Sequence, residues 1–195
     1  MTEYNLCGKR IGLALTGSFC TFEAALSTIS SLVSAGAEVM PIISYAVSTM
    51  DTKFCKAGDI KKRLADLTGQ PVISSIVDAE PIGPGKLLDA LVVLPATGNT
   101  IAKIAHGITD TPVTMAVKAH LRNDRPVILG LSSNDALGNG AKNIGLLLAM
   151  RNMYFVPFGQ DMPHDKPRSM VFKPEYAPAA IENALAGRQL QPILI

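Results

Sequence analysis

The sequence predicts an α/β domain of three layers, with helices on both faces of a doubly wound parallel sheet. Short apolar runs alternate with segments of helical period along most of the chain. Hydrophobic residues make up 48% of the 195, charged ones 17% and aromatic ones 5%, with no Trp; such an aliphatic composition suits helices packed closely on a sheet buried on both sides. Polar loops of small residues follow several of the apolar runs, where open α/β sheets place their ligand sites. The length fits one domain over 1–195.

Lys9 to Thr16, KRIGLALT, is the first expected strand, ended by Gly17-Ser18. Phe22, Leu26, Ile29 and Val33 then recur at helical spacing, and Gly36 stands where a left-handed C-terminal cap belongs. Ala37 to Ser44 reads as a second strand, and its Pro41 argues for a sheet edge or a bulge. KAGDIKKRLADL predicts a helix, Val72 to Ile76 a short strand, and Pro81, Gly83, Pro84 and Gly85 a loop.

Ala90 to Leu94 is the clearest strand, followed by a helix marked by Ile101, Ile104 and Ile108. Thr111-Pro112 starts another helix, with a hydroxyl cap before Pro at the first helical position. Pro126 to Leu131 is a further buried strand; the loop SSNDALGNG leads to a helix containing Ile144, Leu147, Leu148 and Met150, and Tyr154 to Pro157 is the last strand. An irregular Pro-rich segment at about 158–174 precedes a helix from about Glu175 to Ala186.

The net charge of +2, from 18 basic and 16 acidic residues scattered along the chain, gives no electrostatic footprint for nucleic acid. Cys7, Cys20 and Cys55 form no even framework and no CxxC pair, which fits free thiols in a reducing compartment. Cys20 is expected on the first helix, buried and inert, and Cys55 exposed. The N-terminal MTEYNLCGKR lacks an apolar signal core, and no run approaches a membrane span, so a cytoplasmic location is expected and a membrane partner is not.

Three loops carry the chemistry: TGS at 16–18, ATGNT at 96–100 and SSNDALGN at 132–139, and Ser44 ends a further strand, the second in the chain. Small residues let a ligand approach the backbone, helix-start amides supply donors for an anion, and Thr16, Ser18, Thr97 and Thr100 add hydroxyls without charge. Each loop alone would also serve as an ordinary capped βα turn. GxGxxG and GxxxxGK[ST] are both missing, which disfavours a conventionally held NAD or nucleoside triphosphate. No His, Cys and carboxylate cluster at metal spacing is present, so no metal is expected.

The TGS turn, the Ser after the second strand and the segment P-A-T-G-N-T-I-A-K-I-A-H-G-I-T-D at 95–110 resemble the flavoprotein family of phosphopantothenoylcysteine decarboxylase and the flavin prenyltransferases, whose signature is a P-A-S-A-N-T-like segment. The resemblance implies a Rossmann-like flavoprotein fold that binds FMN, its phosphate near Gly17, Ser18, Phe19 and Ser44. Thr97, Gly98, Asn99 and Thr100 would line flavin and substrate, and Ser132, Ser133 and Asn134 would close over the cofactor. It also implies a homo-oligomer, trimeric or dodecameric.

Within the family the likeness runs to one component of an oxidoreductase of sporulating bacteria, through the tail VPFGQDMPHDKPRSMVF. That implies a small dicarboxylate substrate, a second, different chain carrying NADP and a place in the mother-cell cytoplasm. Two departures stand out. The cysteine decarboxylases of the family carry a catalytic His between the second and third strands, and residues 45–80 contain none; SSNDALGNGAKN replaces their P-x-M-N-x-x-M-W-like element. A decarboxylase or prenyltransferase acting on another substrate, and a non-catalytic flavin- or phosphate-binding scaffold for the partner, are the alternatives.

Asn99 is the candidate catalytic side chain, since its amide can donate and accept toward a carboxylate or a flavin edge; its structural alternative is to cap a helix starting at Ile101. His106 and His120 are expected in helices, partly exposed or satisfied by backbone. Lys166 and Arg168, in PHDKPRS with His164, are candidates for holding the carboxylates of a dicarboxylate.

Overall fold

The computed structural model describes residues 4–195. Its parallel sheet runs β1 (Arg10–Leu15), β2 (Glu38–Ile43), β3 (Ala90–Ala96), β4 (Val127–Ser133) and β5 (Met153–Phe155), paired in the order β2-β1-β3-β4-β5. The chain therefore reverses its winding between β1 and β3, and crevices at such switch points open at the carboxyl ends of the strands. β3 is buried along its whole length, as a strand covered on both faces must be.

β2 is the edge strand that Pro41 calls for, and Ile73 covers its outer side, accepting from the Ile43 amide at 2.8 Å and donating to the Pro41 carbonyl at 2.9 Å. The strand expected at Val72 to Ile76 is reduced to this one bridge, because Ser75 caps α4 (Ile76–Ala79) immediately after it. The helix α1 (Phe22–Ser34) ends as expected, with Gly36 at φ +79. After the five-residue α2 (Tyr45–Thr49), α3 (Ala57–Thr68) packs beside α1 and β2.

α5 (Gly98–Ala105) begins three residues before the expected Ile101 and ends before Ile108, which is exposed. α6 (Pro112–Leu121) has the capping box that Thr111-Pro112 announces, Thr111 and Thr114 each accepting from the other's backbone amide at 3.1 Å. α7 (Ala141–Leu148) packs on α5, while α8 (Ala177–Leu185) packs on α1 and on β3 and β4. No helix among the described residues is long and apolar enough to cross a membrane.

The Pro-rich segment is not irregular throughout. It forms an antiparallel hairpin of β6 (Phe158–Gln160) and β7 (Met170–Phe172), and β7 pairs antiparallel with the last residues of β4, making a mixed sheet of seven strands. Phe158 and Phe172 are buried and in register, which explains the pairing; Pro163 and Pro167 lie in the exposed tip between the strands. On the edge away from β3, β4 thus serves two neighbours, β5 through Val127–Leu129 and β7 through Ser132 and Ser133.

Candidate functional site

The three polar loops meet. Thr16, at the end of β1, donates its hydroxyl to the Pro95 carbonyl at 2.7 Å and accepts from the Thr97 amide at 3.0 Å, tying the first and third crossovers together. Ser18 shares a hydrogen bond of 2.8 Å with Ser132 at the end of β4. Each contact spans the switch point or its neighbour, so the parallel register itself brings these hydroxyls to one place.

Thr97 caps α5: its Oγ1 accepts from the Thr100 amide at 3.3 Å and lies 3.0 Å from Thr100 Oγ1. The capping role considered for Asn99 therefore belongs to Thr97, and Asn99 stands in the first turn with its side chain exposed. The amides of Gly98 and Asn99, in that first turn, have no intrahelical acceptor and are the donors an anion would use.

Two open depressions adjoin each other here and share Gly17 and Thr97 in their walls. The first, about 510 Å³, is lined by Gly17, Ser18, Thr97, Gly98, Ser132, Ser133 and Asn134, and by Asp161, Lys166 and Val171 from the hairpin. The second, about 470 Å³, is lined by Thr16, Gly17, Ser44, Thr97, Asn99 and Thr100, together with Tyr45, Lys103, Asp110 and Thr111. Ser44 accepts from the Val47 amide at 3.5 Å and so caps α2 at its wall.

Gly98 is required where it stands. A methyl there would lie 2.6 Å from Ser133 Oγ and 3.1 Å from Asp135 Oδ1, so only glycine lets the β4 loop close on α5. Gly98→Ala is expected to rotate Ser133 away from its 2.7 Å bond to Asp135, costing about 1 kcal/mol; a lower urea midpoint with unchanged helix content would show it.

Of the residues singled out by sequence, Phe19 and Arg168 lie outside both linings. Phe19 packs its ring against Phe22 at a centroid distance of 5.0 Å and sits behind Gly17. Arg168 folds over Gly138, and its carbonyl accepts from the Leu137 amide at 3.0 Å. Cys20 is exposed rather than buried, because it lies on the turn before α1 and lines the first depression, while Cys55 is half-buried. His120 is buried and bonded through Nε2 to the Pro126 carbonyl at 3.1 Å; His106 is exposed and bonded to Asn143 at 3.1 Å.

Sequence reasoning missed Asp161, Lys103 and Asp110. Lys103 pairs with Asp110 at 2.7 Å on the rim of the second depression. Asn99 and Lys103 are four residues apart on α5, a spacing that puts both on one helix face and was the available signal.

The site suits FMN in its donor set. Hydroxyls and first-turn amides converge, small residues keep the walls low, and the two adjoining volumes lie in the range of cofactor sites. Comparison with known proteins agrees with that chemistry. The family described as Flavoprotein matches residues 1–162. The chain is 50% identical over 191 residues to the B subunit of dipicolinate synthase from Bacillus subtilis, covering 98% of this chain and 96% of that one. A crystal structure of the dipicolinate synthase B subunit from Bacillus halodurans superposes with a TM-score of 0.90 at 46% identity, covering 98% of each chain. The FMN-dependent cysteine decarboxylase SpaF shares the fold at a TM-score of 0.65 and 18% identity, over 93% of this chain and 97% of that one.

Proposed function

Because this chain belongs to the flavoprotein family, we propose that it is the B-type subunit of a dipicolinate synthase, an oxidoreductase that converts dihydrodipicolinate to dipicolinate in the cytoplasm of a sporulating bacterium. The observation that carries the reading is the convergence of the β1, β3 and β4 crossovers on one pair of depressions, in a chain alike to such a subunit from end to end. The partner is the A-type subunit of dipicolinate synthase, carrying NADP, and the working form is a homo-oligomer of this chain, trimeric or dodecameric, in complex with it.

FMN would be held by Gly17, Ser18 and Ser44 on the phosphate side, with Thr97 to Thr100 and Ser132 to Asn134 along the ring system. When bound it supplies a hydride acceptor. The chain's own residues then have three tasks. Small loops let the ring lie against backbone, Asn99 orients a carboxylate with its amide, and Lys166 offsets the charge of a dicarboxylate. Aromatisation of the product provides the driving force, so positioning is the main demand on the protein.

Asn99→Ala is expected to lower kcat/KM of the reconstituted complex by about tenfold or more, the worth of one hydrogen bond to a charged group, with the A-type partner still co-purifying. Loss of the complex instead would make this face a contact surface. Cofactor extraction from the co-purified complex tests FMN directly: a colourless chain that still activates its A-type partner removes flavin from the reading.

A second reading, a non-catalytic scaffold for the partner, is favoured by one observation. No histidine among the described residues lines either depression, so the side chain most used for proton transfer is missing.

A further inference from the structure

On the reading above, we infer that Asp161 on the β6–β7 hairpin tells the reduced ring from the aromatic product by the hydrogen on its nitrogen. Asp161 and Lys166 are the two charged residues in the wall of the first depression, which Ser18, Ser133 and Asn134 also line. They are not tightly paired: Lys166 Nζ lies 3.7 Å from Asp161 Oδ2, beyond the 2.7–2.9 Å of a charge-assisted hydrogen bond. Asp161 Oδ1 is shut off from solvent and has no hydrogen-bond partner among the described residues, so Oδ2, on a side chain 31% exposed, is the oxygen that a ligand's donor can reach. With one oxygen unpaired and the other met only loosely by Lys166, the carboxylate is short of donors, and a donor on a ligand supplies one.

The hairpin holds the pair in place. Gln160 Nε2 donates to the Pro167 carbonyl at 2.9 Å, Ser169 Oγ donates to Asn134 Oδ1 at 3.2 Å, and β7 is bonded to β4. The tip is therefore a held wall that presents one cation and one carboxylate to the same depression as the Ser and Asn side chains.

That pairing selects a ligand with an anionic group beside a hydrogen-bond donor. A partly reduced pyridine dicarboxylate can hold a proton on its ring nitrogen, as an enamine N–H or a protonated imine. The aromatic product at neutral pH cannot; its nitrogen presents a lone pair, which Asp161 repels. Lys166 meets a carboxylate in both cases. Asp161 thus favours substrate over product, and the repulsion speeds product release.

Calorimetric titration of the full chain tests this with two probes, dipicolinate and its saturated piperidine analogue, whose nitrogen carries hydrogen. Wild type is expected to bind the analogue about tenfold or more tightly than dipicolinate, a preference on the scale of one hydrogen bond to a charged group. Asp161→Asn should abolish the preference by weakening the analogue and tightening dipicolinate, Asp161→Ser should do the same, and Lys166→Met should weaken both probes. Thermal melts confirm that each variant is folded. If both probes bind but the preference is the same in wild type and in both Asp161 variants, or if wild type prefers dipicolinate, Asp161 does not discriminate. If wild type binds neither probe, the dicarboxylate reading itself fails.

Discussion

Phe172→Ala is expected to remove about 3–5 kcal/mol of folding stability, the usual cost of emptying a buried aromatic site, and with it the ligand affinity that depends on the hairpin. Phe172 is 1% exposed on β7, opposite Phe158, and its ring rests on β4 where Gly130 leaves room: a methyl at 130 would lie 3.3 Å from Phe172 Cγ. The ring is the apolar anchor that lets a three-residue strand hold Asp161 and Lys166 over the depression. Urea denaturation measures the loss. Val171 supplies the contrast, because it points the other way, lines the depression and is half-buried; Val171→Ala should change binding while costing under about 1.5 kcal/mol. A Phe172→Ala protein as stable as wild type would mean that the hairpin is held by its backbone alone.

Acidification is expected to weaken the fold in two stages. His120 is buried, and loss of solvation pushes its imidazole down to about 4 against the pull of the Pro126 carbonyl, with the weaker Arg125 and Asp89 charges acting in opposite directions. The unfolded chain, with an ordinary histidine, takes up its proton first. Stability therefore falls as pH drops from about 6.5 to about 4, by on the order of 3 kcal/mol in all.

Asp89 governs the second stage. Burial opposes its ionisation, but the Arg10 amide at 2.9 Å, the Arg10 guanidinium at 3.1 Å and the Arg125 charge outweigh that and hold its carboxyl below the usual range. Its contribution is present above the ordinary carboxylate pKa and is lost as pH falls through the lowered one. Urea midpoints measured from about pH 7 to about pH 3 should show both stages, and His120→Gln should flatten the upper one. An upper stage unchanged in that variant would place the acid-sensitive group elsewhere.

The parallel core was legible because its signals are local. KRIGLALT and ALVVL are too apolar to be anything but buried, and Gly36 and Thr111-Pro112 mark helix ends by conformations their own residues dictate. The convergence of TGS, ATGNT and SSN followed from strand order, since all three leave the same end of a parallel sheet. The hairpin was not legible. Its strands are three residues each, too short for a period, and they pair because Phe158 and Phe172 are buried together and β7 adds to the end of β4, far earlier in the chain. With the hairpin hidden, Asp161 could not be connected to Ser18, and Arg168 could not be seen to turn away.

The start of α5 was misplaced for a related reason. Thr97 and Asn99 are both good capping residues, and only the closing of Thr16 onto the Thr97 amide fixes which of them is used.

The division of β4 between two neighbours has a consequence for how occupancy is communicated. Its first half belongs to the rigid sheet and its second half is bonded to β7 through Ser132 and Ser133 alone, so whatever bridges the crossovers to the hairpin adds its own free energy to that short ladder. Amide protons of 170–172 should accordingly exchange more slowly in the liganded protein, while those of 127–129 keep one rate throughout.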